Sequence, residues 1–273
     1  MPELPEVETI RRDLADNLLN LKIQEIQVLD SRVLRNCTKA EFIRRCTSKT
    51  IFQVFRRGKA LVIQLKPAGY LVIQPMMTGH LIFFPSPTHA VLNDTKIVFT
   101  LSNQSRLNYN DQRLFGRIQF VENLQEVSFF RHLGPDPFDA VFTVDWLRAN
   151  LKKRKGPIKP LLMNQNFIAG IGNIYASEIL FQSAISPKQS ACKINREKIQ
   201  RLHQAVIDIL QEAVSLRGTS MRNYRDLSGV QGNFKNRIKV YGRAQEQCPQ
   251  CASTIVKIVQ AGRSTFFCRK CQK

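Results

Sequence analysis

The segments Ile51-Phe52-Gln53-Val54-Phe55, Ala60-Leu61-Val62-Ile63-Gln64-Leu65 and Tyr70-Leu71-Val72-Ile73-Gln74 decide the fold class of this chain. Each is a short run rich in β-branched, aromatic and aliphatic residues, and Lys66-Pro67-Ala68-Gly69 is a turn signal between the last two. Working outward, similar runs occur at 22–29, 81–84, 96–101 and 117–121, with further turn signals at Pro85-Ser86-Pro87 and Ser102-Asn103. Short strands joined by such turns predict an antiparallel sandwich or barrel. In front of them, Val7, Ile10, Leu14 and Leu18 recur at helical spacing. Pro5 suits the first helical position, and Glu6 and Glu8 suit the first turn. Beyond Gly134-Pro135-Asp136-Pro137 the period becomes helical, with helices expected at 143–151, 157–165, 173–183 and 195–216. Residues 226–236, rich in Gly, Asn and Ser, read as a mobile loop. The expectation is therefore an α+β multidomain chain. An antiparallel β-sandwich with a leading helix occupies residues 1–133, a helical domain 134–237, and a small cysteine-bearing module 238–273.

The chain has 273 residues, 43% of them hydrophobic, which is enough for a real core and argues against disorder. No apolar run approaches the ~18 residues of a membrane span. The acidic N-terminus has no signal-peptide character, so a cytoplasmic, nucleoid-associated location is expected. Lys and Arg total 41 against 21 Asp and Glu, a net charge of +20. Such an excess points to a polyanionic partner, above all nucleic acid. The excess is uneven, because residues 131–273 hold 24 basic and 9 acidic residues against 17 and 12 in 1–130. More of the phosphate footprint is expected in the second half. The run Lys152-Lys153-Arg154-Lys155 fits that footprint, and equally fits a solvated face.

Four of the seven cysteines form Cys248-Pro249-Gln250-Cys251 and Cys268-Arg269-Lys270-Cys271, with 16 residues between the pairs. This is the spacing of a tetrahedral zinc site. Paired disulfides or redox thiols are the alternatives, and the absence of a secretion signal disfavours disulfides. Four cysteine ligands close the coordination sphere, so the zinc is expected to be structural. Lys257, Arg263, Arg269, Lys270 and Lys273 give the module a basic surface. Cys37, Cys46 and Cys192 read as ordinary thiols.

Pro2 follows the initiator Met, and removal of Met1 would expose a secondary amine. An α-amine titrates near neutrality, so part of it is unprotonated and nucleophilic there. Glu3 lies beside it as a proton donor or acceptor. Taken alone, the same residues would simply open a helix.

The opening Met1-Pro2-Glu3-Leu4-Pro5-Glu6-Val7-Glu8-Thr9 resembles that of the formamidopyrimidine-DNA glycosylases, bacterial base-excision enzymes for oxidised purines. Further matching segments follow in order: Arg56-Arg57-Gly58-Lys59, Met76-Met77-Thr78-Gly79 and Asp111-Gln112-Arg113-Leu114-Phe115-Gly116. After them come His132-Leu133-Gly134-Pro135-Asp136-Pro137, Gly170-Ile171-Gly172-Asn173-Ile174-Tyr175-Ala176-Ser177-Glu178, Val240-Tyr241-Gly242-Arg243 and the cysteine module. The resemblance spans essentially the whole chain. It implies a sandwich domain, a helix–two-turn–helix domain and a four-cysteine zinc-finger hairpin, with double-stranded damaged DNA in the cleft between and a monomeric protein. It implies that Pro2 attacks the sugar C1′ and that Glu3 is the general acid. Lys59 matches the lysine assigned to the damaged base or its phosphate and to β-elimination, and Arg263 the arginine near the phosphate and δ-elimination. Met77, Arg113 and Phe115 match the residues that fill the gap left by an extruded base. Arg154 and Lys159 fall where the family contacts phosphates. Asn173 reads as a helix N-cap after a tight turn at Gly172, presenting amides to a phosphate. The loop 226–236 would close over an extruded 8-oxoguanine.

Two departures stand out. Where many members carry a Lys-His-Asp-His-like stretch, this chain has Asn93-Asp94-Thr95-Lys96. Gln112 and Leu114 flank Arg113, with one fewer arginine than usual, so an altered affinity or opposite-base preference is expected. Three rivals remain at this stage. The sister endonuclease VIII type takes oxidised pyrimidines, but usually has Gly at the Leu4 position. A catalytically silent zinc-finger DNA-binding protein would need no intact Pro2, Glu3 and Lys59, and retention of Met1 would support it. A zinc-ribbon RNA or ribosomal protein has no reason to match the N-terminal motif.

Overall fold

The computed structural model describes residues 1–86, 91–221 and 224–273; Pro87 of the expected turn lies outside them. The chain forms two compact units, Met1–Arg131 with Leu216–Asn233, and His132–Ser215 with Phe234–Lys273.

The first unit opens with helix α1 (Leu4–Leu18). Its Val7, Ile10, Leu14 and Leu18 are all buried, as the periodicity required. Each such burial is worth about 1.5–3 kcal/mol, which anchors the helix to the sheets. Two four-stranded antiparallel sheets follow. One runs in the order β1 (Ile23–Val28), β6 (Thr95–Leu101), β7 (Arg106–Asp111), β5 (Gly79–Phe84). The other runs β2 (Thr50–Arg57), β3 (Ala60–Lys66), β4 (Tyr70–Gln74), β8 (Arg117–Val121). Ile63 and Leu71 of one sheet and Phe99, Leu107 and Tyr109 of the other share one core with the helix. The short helix α3 (Ser128–Arg131) follows the last of these strands.

Strand β7 is the element that the sequence conceals. Leu107 and Tyr109 point into the core, but Asn108, Asn110 and Asp111 are also at most 2% exposed. A strand covered on both faces that carries three polar residues shows neither alternation nor an apolar run. Helix α2 (Lys39–Cys46) has no counterpart among the expected elements. It carries a capping box in which Glu41 N–H donates to Thr38 Oγ1 at 3.3 Å and Thr38 N–H to Glu41 Oε2 at 2.8 Å.

The second unit contains α4 (Val144–Leu151), α5 (Ile158–Leu162), α6 (Asn173–Gln182) and α7 (Arg196–Ser215), then the hairpin β9 (Ile255–Gln260) and β10 (Arg263–Cys268). Phe142 stacks on His203 at 5.0 Å, and Trp146 packs on Phe167 at 5.6 Å. Helix α5 stops short of the expected residue 165, because Asn164 Oδ1 turns back to accept Asn166 N–H at 2.9 Å. Phe181 of α6 packs with Val240, Ile255 and the cysteines, which joins the finger to the helical unit. Residues 216–233, which the sequence groups with the helices, pack with the first unit, where Tyr224 and Leu227 enter its core. Among the described residues no helix is long and apolar enough to cross a membrane.

Candidate active site

At the start of the first unit, Pro2 and Glu3 are buried and Glu3 is the N-cap of α1. Glu6 Oε2 accepts the Glu3 N–H at 2.7 Å, and its Oε1 accepts the Thr219 N–H at 2.7 Å. This carboxylate, 2% exposed, thus fastens the chain's first residues to the segment after α7. Gly218 permits that approach, since a Cβ there would lie 2.8 Å from Glu6 Oε1. Lys59 sits in the two-residue turn between β2 and β3, where Gly58 has φ +57. Arg56 Nη1 donates to Gly58 O at 3.0 Å, while its Nε lies 3.4 Å from Glu8 Oε2 on α1. The Lys59 turn is therefore tied to the helix that carries Glu3. Burial holds the Met1 amine below its ordinary pKa; Glu3 and Glu6 oppose this, and Lys59 reinforces it. Pro2 and Glu3 are thus buried behind an exposed Met1, and Glu3 and Lys59 both bear on the charge of the terminus.

Met77, Arg113 and Phe115 also come together. Met77 and Phe115 are 46% and 45% exposed. The Arg113 guanidinium lies 4.6 Å over the Phe115 ring and its Nη1 is 3.9 Å from Met77 Sδ. Beneath them Asp111 is fully buried. Its Oδ1 accepts from Thr78 Oγ1 at 2.5 Å and from Arg113 N–H at 3.3 Å, and its Oδ2 accepts Gly116 N–H at 2.7 Å. Thr78 Oγ1 in turn accepts Arg113 N–H at 3.1 Å. One carboxylate thus clamps the 76–79 and 111–116 loops together, so that three otherwise uncovered side chains keep one arrangement. Sequence reasoning quoted Asp111 in its motif and gave it no role.

In the second unit Lys159 is 1% exposed. Its ammonium donates to Asn173 Oδ1 at 2.6 Å, Thr265 Oγ1 at 2.8 Å and Ser264 O at 3.2 Å. An ammonium has three protons, and these acceptors match them. Lys159, expected among the phosphate contacts, thus ties α5 to the start of α6 and the hairpin from inside the unit. The expected N-cap is also corrected. Gly172 is the N-cap and Asn173 the first helical residue, because the Asn173 amide reaches across to Lys159 and donates to Ser264 O at 3.0 Å. Arg263 begins β10 and is exposed; with Lys159, Met163 and Asn164 it lines a cavity of about 230 Å³. Arg154 is exposed within the basic run. Glu178, 1% exposed on α6, accepts the N–H groups of Lys239, Val240 and Tyr241 at 2.8, 3.0 and 2.8 Å. Burial nonetheless holds its pKa above the ordinary carboxylate value. It fixes the Val240-Tyr241-Gly242-Arg243 loop, a role that nothing in the pattern of residues disclosed.

The ligand atoms of Cys248, Cys251, Cys268 and Cys271 all lie within 4.8 Å of one another. Cys248–Cys271 and Cys251–Cys268 sulfurs are 3.8 and 3.5 Å apart. A tetrahedron with ~2.3 Å zinc–sulfur arms has edges of about 3.8 Å, so the donor set fits one structural zinc.

Comparison with known proteins agrees with this geometry. Residues 1–118 match the family model of the formamidopyrimidine-DNA glycosylase N-terminal domain, 133–225 that of its H2TH domain, and 245–273 that of a zinc finger found in FPG and IleRS. The formamidopyrimidine-DNA glycosylase of Pelotomaculum thermopropionicum is 40% identical over 275 residues, covering 100% of this chain and 99% of that protein. Among solved structures, Lactococcus lactis Fpg in complex with DNA containing an abasic site superposes with a TM-score of 0.92 at 33% identity, covering 99% of both chains. The Fpg protein of Thermus thermophilus gives 0.88 at 36% identity, covering 99% of this chain and 98% of that one.

Proposed function

The chain belongs to the formamidopyrimidine-DNA glycosylase family, and from that premise we propose that it excises oxidised purines from duplex DNA and then cuts the strand. The observation that carries this reading is the buried Pro2 at the chain's start, with buried Glu3 beside it and Lys59 near enough to bear on the terminal charge. Once Met1 is removed the terminal nitrogen belongs to Pro2, and an α-amine titrates near neutrality, so part of it is nucleophilic there.

The target base must first leave the helix stack. Met77 and Phe115 form an apolar wedge, and the Arg113 guanidinium carries donors for the orphaned opposite base. The Pro2 lone pair attacks C1′, the glycosidic bond breaks and the base departs with its bonding electrons and a proton. Glu3 protonates the ring oxygen as the sugar opens, leaving a C1′ iminium. The iminium acidifies the C2′ proton; its loss expels the 3′ phosphate, and a second elimination expels the 5′ phosphate. Lys59 serves the first elimination and Arg263 the second. Arg154 and the start of α6 at Asn173 take the backbone phosphates, with Lys159 acting through Asn173 and the hairpin. The loop 226–236 covers the extruded base. Cys248, Cys251, Cys268 and Cys271 would hold the zinc, which would fix the finger that presents Arg263.

A test is to block the terminal amine by acetylation. The expected result is loss of strand cutting on 8-oxoguanine duplex with DNA binding retained. Unchanged cutting would reject the terminal nitrogen as nucleophile. A preference for oxidised pyrimidines would move the chain to the endonuclease VIII type.

A further inference from the structure

We propose that Arg217 is a positioning residue for recognition of the extruded base, joining the loop that covers the base to the helix that carries the nucleophile. The inference rests on the reading of residues 226–236 as that loop.

Arg217 has φ +61, a left-handed conformation that favours glycine. An arginine persists there because two carboxylates hold it. Its Nε donates to Asp226 Oδ2 at 2.8 Å, and its Nη2 lies 2.8 Å from the same oxygen and 2.5 Å from Asp13 Oδ2. Asp226 is 2% exposed and organises the root of the loop. Its Oδ1 accepts Ser228 N–H at 3.0 Å and Val230 N–H at 2.9 Å, and its own N–H donates to Val230 O at 2.9 Å. Leu227, 1% exposed, plugs the core beside it, and its carbonyl accepts Phe83 N–H from the edge strand β5 at 2.9 Å. The exposed tip, 228–231, therefore stands on a rigid base.

The other end of the contact lies on α1. Asp13 is on that helix, whose first turn carries Glu6. Glu6 already bridges the Glu3 and Thr219 N–H groups. The segment from Arg217 to Thr219 is thus pinned to α1 at two places; Arg217 extends the connection to the root of the loop at Asp226, while Asn233 N–H, donating to Leu216 O at 2.8 Å, ties the loop's far end. Base-covering loop and attacking amine share one frame through its planar fork, whose fixed Nε and Nη2 together span the two carboxylates.

A base-holding frame matters only while a base is present. The test compares 8-oxoguanine duplex with a duplex carrying a preformed abasic site, in single turnover. Glycine adopts φ +61 without strain, so Arg217→Gly removes the fork while keeping the backbone. It is expected to slow 8-oxoguanine excision by about 10–100-fold and to leave cutting at the abasic site within about twofold of the parent. Arg217→Lys should fall between, and Asp226→Asn, which retains an acceptor for Ser228 and Val230, should reproduce the selective loss. Unchanged excision by Arg217→Gly would overturn the inference. So would an equal loss on both substrates, which would make Arg217 a mere support of α1. A parent protein inactive on both duplexes would instead overturn the functional reading beneath it.

Discussion

At the 76–79 and 111–116 loops of the first unit the clustered side chains Met77, Arg113 and Phe115 are exposed, and the buried group beneath them is a carboxylate, Asp111. At the hairpin junction of the second unit the buried group is an ammonium, Lys159, which a sequence reading places among the working side chains. Both are polar residues inside family motifs. What separates bracing from contact is the set of partners the fold supplies. Asp111 finds two hydroxyls and two backbone N–H groups, and Lys159 finds an amide oxygen, a hydroxyl and a carbonyl. A charged side chain satisfied inside the protein organises loops, whereas one left facing water is available to a phosphate.

The largest expected difference between the two regions comes from zinc. Metal binding to such a site is worth about 10–16 kcal/mol and is coupled to folding of the ligand-bearing segment. Chelation, or Cys268→Ser, should abolish DNA binding and cutting while the first unit keeps its own cooperative unfolding transition. Full activity in zinc-free protein would contradict this. Next, Asp111→Ala strips acceptors from two hydroxyls and two N–H groups. It should destabilise the first unit by about 3 kcal/mol or more in denaturant titration and leave zinc content untouched. A change below about 1 kcal/mol would show that the clamp is dispensable.

A smaller effect sharpens the contrast between ties and contacts. Arg154→Ala should lower the slope of log affinity against log salt by about one phosphate contact, with little change in stability. Lys159→Met should lower stability and leave the slope alone. A reduced slope for Lys159→Met would return that lysine to the phosphate contacts.

The smallest effect is on pH response, and it has opposite signs in the two units. Burial raises the pKa of Glu8, but hydrogen bonds from Arg11 and Arg12 overcome it and hold the group below its ordinary value. Its contribution is present above the unfolded value and lost as pH falls through the lower folded one. Glu178 is held above its ordinary value by burial, against the N–H groups that favour its charged form. Its contribution is greatest below the unfolded value and fades as pH rises through the higher folded one. As pH falls below the ordinary carboxylate value, Glu8→Gln should flatten the acid-side loss of first-unit stability, and as pH rises above it Glu178→Gln should flatten the loss of the second unit's. Identical pH profiles for parent and variants would refute both assignments.

Legibility in the sequence followed the same division. Elements with a helical apolar stripe or a short apolar run were readable: α1 through Val7, Ile10, Leu14 and Leu18, and β4 and β8, buried on both faces, at the residues expected. β7 was not, because Asn108, Asn110 and Asp111 are polar and yet buried, and only tertiary partners make that tolerable. Helix α2 was within reach, since Thr38 and Glu41 are spaced as a capping box. In the site, the cysteine spacing carried the zinc fully. The grouping of Pro2, Glu3 and Lys59, and of Met77, Arg113 and Phe115, was reached through family resemblance, and the geometry then brings each set together. The supports were invisible: Glu6, Asp111, Glu178 and Arg217 act on backbone groups or on residues distant in sequence, which no local pattern encodes.

The central claim is that the terminal nitrogen is the nucleophile. Borohydride trapping on a duplex with 8-oxoguanine opposite cytosine, followed by peptide mass analysis, tests it most directly. The account predicts one covalent adduct, on a peptide beginning at Pro2, which reports Met1 removal and the iminium together. An adduct on an internal lysine such as Lys59, or none from protein that still binds the duplex tightly, would contradict it.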